Sequence, residues 1–413
     1  MDRREFLKLA GLVTLWPLSV SLPVGSKIKA TAVNRLEKWQ PQNTLPIEWR
    51  YAAGRILDSS QDFGFIISMS AIKITGAESL QFSVQRQNFN GNQEYAGKTY
   101  TGVLTNDFYD SASATYSFQD ENAQTLATWQ WDDQPGQQVY KLTVTTPELT
   151  LTNVVLKPQG SLIPEGGSGN IHVGQIAGIY INSDYHGDWT SIEINGQEKG
   201  VARVDMQGLR RVSSASHVMT GFGAWLGHQG ELGHSPVSAE AVQAADSTDD
   251  YDHYWFAVAV ELNDGPAWVS AWRIEDTQGP FWGLTIARYS GASWQVVLSL
   301  TEQDNNSIAA PLEVTTLAWQ NLPTSAGSKQ STGMKWRLTA GVNQPNDAVD
   351  IQVSVPPGQF ISNTKHTLGG WLEEGVGLEV EGTILGNPIS SIKMAAAETT
   401  AEFSLNFLPA VLK

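Results

Sequence analysis

Two segments of this chain put a carboxylate two residues from an arginine, a spacing that could do chemistry on a strand. In IEWRYAAGRILDSSQDFGFIISM (47 to 69), alternation places Glu48 and Arg50 on one face and Trp49 and Tyr51 on the other. In INGQEKGVARVDMQGL (194 to 209), Arg203, Asp205 and Gln207 share a face, while Ala202, Val204 and Met206 form an apolar opposite one. Two readings follow. If the charged faces look inward, the four ions neutralise one another, each arginine lowers its carboxylate's pKa, and the pocket suits a polar or anionic head with an apolar tail. Arg50 then lies within ion-pair reach of Asp205, or Arg203 of Glu48. If they look outward or seal the barrel mouth, they are ordinary surface ion pairs worth about 0 to 1 kcal/mol each.

The elements that position these residues are strands. KLTVTTPELTLTNVVL (141 to 156), YWFAVAVEL (254 to 262), PAWVSAWRIE (266 to 275), SWQVVLSLTE (293 to 302) and VDIQVSVPP (349 to 357) alternate or are β-branched and aromatic, between turn residues. Asn263-Asp264-Gly265 joins two of them as a hairpin. PEGGSGN (164 to 170) and GHQGELGH (227 to 234) read as loops. With 41% hydrophobic and 16% charged residues, 38 Gly and 15 Trp, the chain is globular, turn-rich and β-rich. Its 413 residues suggest two domains. The acidic stretch 235 to 252 is the expected linker, with room for one short helix. The halves it separates, 33 to 240 and 250 to 413, are each long enough for a barrel of about eight or more strands, with a pair of sandwiches as the structural alternative.

The first 32 residues read as a cleavable twin-arginine export signal: Arg3 and Arg4, then Phe6, Leu7 and Lys8, then a mildly apolar run from Leu9 to Val24. That run contains Gly11 and Pro17 and is too short to span a bilayer. Ala30-Thr31-Ala32 is the expected cleavage site, and the periplasm or an equivalent lumen the expected location. Cleavage removes five basic and two acidic residues, moving the net charge from -16 to -19. Such a chain has no electrostatic case for nucleic acid or anionic membrane surfaces. The absence of cysteine excludes disulfides, thiolate metal sites and a cysteine nucleophile, and fits folding before export.

Several stretches, in order, resemble one family, the carotenoid 1,2-hydratase or hydroxyneurosporene synthase group with its AttH-like relatives. Glu48, Trp49, Tyr51, Gly54, Asp58, Gly64 and Phe65 match its entry signature, with Arg50 where Trp is usual. Gly200, Ala202, Asp205 and Gln207 match a second stretch, with Arg203 replacing Trp and Gly208 replacing a second Trp. YWFAVAVELNDGPAWVSAWRIE resembles the run of the second barrel, and GGWLEEGVGLEVEGTILGNPI resembles a Trp-Glu-Gly motif through Trp371 and Glu373 or Glu374. SSIKMAAAETT departs from the aromatic, Glu-containing closing strand of the family.

The resemblance implies an all-β fold of two tandem lipocalin-like antiparallel barrels. For the hydratases it implies water addition to an isoprenoid double bond without a cofactor. Protonating an alkene demands a carboxylic acid kept neutral by an apolar pocket, and aromatic faces steady the cation that forms. The candidate acid and base groups are Asp205, Glu48 and Glu373, with Tyr51 as orienter; Trp49, Arg50, Arg203, Gln207, Trp255 and Trp371 are candidate ligand contacts. Two functions are expected as alternatives. One is a carrier of an apolar or amphipathic ligand, with a transporter or membrane complex as a possible partner. The other is a cofactor-independent hydratase, isomerase or cyclase. The altered Arg50 and Arg203 positions favour the carrier.

Other clusters carry less. His217, His228, Glu231 and His234 fit no standard metal spacing and read as solvated loop residues. Asp246, Asp249, Asp250 and Asp252 lack the pattern of a calcium loop. No G-x-S-x-G elbow occurs.

Overall fold

The structure, a computed structural model, describes residues 34–42, 45, 47–58, 61–73, 79–89, 95–105, 108–176, 179–211, 252–276, 279–290, 293–302, 310–319, 334–355, 361–362 and 371–401. The signal segment, the loop histidines and all but the last residue of the proposed linker lie outside these residues.

Among the described residues the first element is the short helix α1 (Arg35–Trp39), and nearly all the others are strands. β1 (Ile47–Leu57), β2 (Asp62–Ile72), β3 (Ser79–Asn88) and β4 (Tyr95–Gly102) form one antiparallel meander. β5 (Tyr109–Asp110), β6 (Thr115–Gln119), β7 (Thr125–Gln134), β8 (Gln137–Thr145) and β9 (Thr150–Pro158) form a second. β10 (Ile163–Pro164) and β11 (Asn170–Ile176) pair with the long β12 (Ile179–Ile194). β13 (Gln197–Arg211) then links the meanders by lying between β12 and β1, so one sheet curls through the first half.

The second half follows the same plan. β14 (Asp252–Leu262), β15 (Gly265–Asp276), β16 (Gly279–Ser290) and β17 (Ser293–Thr301) form a meander. The turn predicted at Asn263-Asp264-Gly265 connects its first two strands, with Leu262 paired to Gly265 and Gly265 at φ 121. After β18 (Ala310–Trp319), β19 (Met334–Gly341), β20 (Val349–Val355), β21 (Ile361–Ser362), β22 (Trp371–Val376) and β23 (Glu379–Ile384), the final strand β24 (Asn387–Ala401) returns to β14. The protein is thus all-β apart from short helical turns, with two curled antiparallel sheets in tandem.

Strand alternation divides the apolar residues into three cores. Ala52, Ile56, Phe65, Ala202, Val204 and Met206 look into the first barrel. Phe256, Val258, Val269, Leu284 and Trp336 fill the second. The alternate faces of the same strands pack the barrels against each other through Tyr51, Ala53, Tyr185, Trp189, Trp255, Trp268, Trp272 and Met394. This seam contains large rings, each of whose burial stabilises by about 1.5 to 3 kcal/mol.

At five residues α1 is too short to hold itself together, so it owes its shape to docking. Asn34 caps it by accepting from the Leu36 N–H at 3.0 Å. Trp39, fully buried, packs edge-on against Tyr116 and Trp129 with centroids 5.3 and 5.2 Å away. Arg35 pairs with buried Asp188 at 2.6 Å, and Lys38 with Asp184 at 2.9 Å. The helix therefore plugs one end of the first barrel. Trp129, Trp131, Tyr140, Phe82 and Phe118 pack behind it in one buried aromatic cluster.

Candidate functional site

The register of β1 on β13 decides which predicted residues meet. Tyr51 lies opposite Asp205, Arg50 opposite Met206, and Ala53 opposite Arg203. Partners across a ladder share a face, so Arg203 and Asp205 join Tyr51 in the seam while Glu48 and Arg50 look into the first barrel. The expected pairing of Arg50 with Asp205, or of Arg203 with Glu48, does not form, because the two charged faces lie on opposite sides of one sheet.

Arg50 instead serves the plug. Its Nε and Nη2 donate to the Trp39 carbonyl at 2.9 and 2.7 Å, and Nη2 reaches the Gln40 carbonyl at 3.1 Å. These are the open carbonyls at the C-terminal end of α1, which a cation satisfies well. Tyr116 adds a hydroxyl donor to the same Trp39 carbonyl at 2.7 Å. Glu48, 2% exposed, is the counterion: it lies 3.4 Å from Arg50, accepts from the Gln42 N–H at 3.2 Å and pairs with Lys73. A small polar recess open to solvent runs beside this group, lined by Lys38, Glu48, Arg50, Asp184, His186 and Gln207 among others.

The seam holds the second cluster. Arg203, with no solvent exposure, donates from Nε to Asp205 Oδ1 at 2.6 Å and from Nη2 to Glu165 Oε1. Tyr185 donates its hydroxyl to Asp205 Oδ2 at 3.1 Å and accepts from the Trp255 indole N–H at 2.7 Å. A chain of hydrogen bonds thus crosses from β14 in the second half to β12 and β13 in the first. Tyr51 lies edge-on to Trp255, with centroids 5.4 Å apart, and the guanidinium stands 5.4 Å from the Trp189 ring. Trp268 stacks on Trp189 and on Trp294, extending the aromatic wall.

Two glycines make room for the cluster. A Cβ on Gly187, which lies opposite Asp205 on β12, would come 1.6 Å from Arg203 Nη2, so bare backbone gives the guanidinium its berth. Glu165 sits on a single 3-10 turn, Glu165–Gly167, which needs Gly166 twice over: its φ is 60, and a Cβ there would meet Thr301 of β17 at 2.6 Å. The second barrel therefore wedges the turn that presents Glu165.

Two carboxyl groups around one guanidinium, all buried, set the electrostatics. Burial pushes the Asp205 carboxyl up to about 6; Arg203 pulls it down and Glu165 pushes it up again. Burial works against the Arg203 charge, but Asp205 and Glu165 together hold its pKa above the ordinary value. Burial and the neighbouring Asp205 raise the Tyr185 hydroxyl well above its usual range, so it acts as a hydrogen-bond donor. The arrangement raises a carboxyl group well above its ordinary range inside an aromatic enclosure, protonated below about pH 6 and ionised above it.

Of the sequence candidates, the seam brings together Asp205, Arg203, Tyr51 and Trp255. Trp49 packs half-buried at its edge, and Gln207, opposite Trp49, reaches the recess. Glu48 and Arg50 belong to the plug. Trp371 and Glu373 fall on β22, paired in register with Ala401 and Thr399 of β24. Among the described residues no group of three metal-ligating side chains occurs. Glu165, Tyr185 and Trp189 were missed from sequence. The loop signal PEGGSGN hid Glu165, and the strand pattern around Tyr185 offered no motif. Half-buried Glu398 lies opposite Trp255 on β24.

No family profile matches the chain, and no curated protein does. Solved structures resemble it in fold. An AttH-assigned protein of Nitrosomonas europaea superposes with a TM-score of 0.52 at 13% identity, covering 92% of this chain and 100% of that one. Kievitone hydratase from Nectria haematococca follows at 0.46 and 12%, covering 90% and 93%. CghA follows at 0.40 and 10%, covering 87% and 89%. At 13% identity the likeness to the Nitrosomonas protein is one of fold, that of two tandem lipocalin-like barrels.

Proposed function

We propose that this chain is an exported two-barrel protein that binds an apolar or amphipathic small molecule of isoprenoid or lipid type at the seam between its barrels. The observation that carries the reading is the ionic group Arg203, Asp205 and Glu165, buried inside an aromatic wall to which both halves contribute. Buried charge without a ligand role is a poor route to stability, since apolar replacements of similar volume often serve as well or better. Export rests on the Arg3-Arg4 signal; cleavage near Ala32 leaves α1 whole, and N-terminal sequencing of the exported protein tests it.

The test is native mass spectrometry of the exported protein incubated with membrane-lipid and terpenoid extracts. The proposal expects a retained small molecule whose occupancy falls when Trp255→Ala opens the seam wall. Loss of the complex on altering the plug alone, with Trp255→Ala binding normally, would place the ligand elsewhere and sink the reading.

A second reading, water addition to or rearrangement of an isoprenoid double bond, is favoured by one observation: the Asp205 carboxyl is pushed up to about 6 in a water-poor aromatic site. The 2.6 Å bond from Arg203 works against proton donation, which is why binding is the leading proposal. Under the second reading the ligand leaves heavier by one water, or rearranged, and Asp205→Asn abolishes the change. Recovery of only unchanged ligand would exclude it for that compound.

A further inference from the structure

Arg203 and Glu165 are joined through Nη2 and Oε1, yet Arg203 Nη1 and Glu165 Oε2 are both buried with no hydrogen-bond partner. The guanidinium's other nitrogens are engaged, so Nη1 is the part of it left to bind anything else. Both groups are fixed: Glu165 by the turn wedged against Thr301, Arg203 by Gly187 and Trp189. Buried polar atoms of native proteins are almost always satisfied, and an open donor and acceptor on one ion pair need an explanation.

We propose that Arg203 Nη1 and Glu165 Oε2 together hold the hydroxyl of an amphipathic alcohol, making Glu165 the residue that selects the polar head of the ligand. The donors and acceptors available at the two open atoms fix the chemistry of a partner. Nη1 can only donate and a carboxylate can only accept, so the partner must accept from one and donate to the other. A hydroxyl does both. A ketone has nothing to give Glu165, an ammonium nothing to offer Arg203, and a carboxylate ligand would meet two acidic side chains already sharing one cation. An alkane leaves both atoms open. This inference rests on the seam being the ligand site, and it adds the chemical class of the head group.

The test is a titration of the full chain, followed by tryptophan fluorescence, with an alcohol, a methyl ketone, a carboxylate and an alkane built on the same dodecyl chain. Wild type is expected to bind the alcohol about tenfold or more tighter than the others, the effect of leaving a buried charged group unpaired. Glu165→Gln, whose amide can donate, is expected to shrink that preference and improve the ketone. Equal binding of all four by wild type, or the same binding of alcohol and alkane as in a site already closed by water, overturns the selection role while leaving seam binding standing. An alcohol preference unchanged in Glu165→Gln also overturns it. Fluorescence unmoved by any member overturns seam binding, and this inference with it. The wild-type ratios stand even if the variant fails to fold.

Discussion

Asp205→Asn should change how stability depends on pH, in a direction fixed by the raised Asp205 carboxyl. A carboxyl at about 6 in the folded protein, against an ordinary 3.8, holds its proton more tightly when folded than when unfolded. Its stabilising contribution is therefore complete in acid below the unfolded value, and is lost as pH rises through the folded one. The gap corresponds to about 3 kcal/mol at ~1.36 kcal/mol per pH unit, of which roughly 2 kcal/mol falls between about pH 4.5 and about pH 8. Asparagine keeps the shape and cannot ionise. It also leaves Arg203 balanced by Glu165 alone. Urea unfolding of both proteins at several pH values, read by tryptophan fluorescence, gives the difference directly. Shared groups cancel in it, including Asp184, whose pKa His186 and Lys38 pull below the ordinary value despite its burial. The variant should gain about 2 kcal/mol on wild type from the acidic to the alkaline end. A difference that is flat with pH, or that falls, would refute the electrostatic account of the cluster.

Other perturbations separate the plug from the seam. Arg50→Met removes the donor to the Trp39 and Gln40 carbonyls and strips Glu48 of one cation, and should destabilise by about 3 to 5 kcal/mol in chemical unfolding. Trp39→Ala, at a fully buried ring, should cost about 3 to 5 kcal/mol by the same assay. Gly187→Ala forces the Arg203 guanidinium off its berth, so it should weaken ligand binding at the seam more than it lowers the melting temperature. Tyr185→Phe leaves the Trp255 indole N–H without its acceptor and should cost about 1 to 3 kcal/mol, measured by thermal unfolding.

The fold was legible because both halves are written in period two. Alternation at 194 to 209 correctly separated Ala202, Val204 and Met206 from Arg203, Asp205 and Gln207. What alternation could not supply was the relation between strands. Which face of β1 joins which face of β13 depends on register, and a shift of one residue exchanges the faces. In the register found, Tyr51 and not Arg50 meets Asp205. Arg50 became intelligible only with α1 in place, since a five-residue helix carries almost no periodic signal and its carbonyls are what the guanidinium serves. Glu165 was illegible for a related reason: a glycine-rich turn reads as a loop, and only the tertiary wedge against Thr301 turns it into part of a site.

If ligand binds between the barrels, photoaffinity labelling of the full chain with a diazirine-bearing long-chain alcohol should mark both walls of the seam. Peptide mapping should place the label on residues 47–57, 179–211 and 252–262, competed away by excess unlabelled alcohol. Competable labelling confined to the interior strands of the first barrel, such as 125–145, would contradict the account.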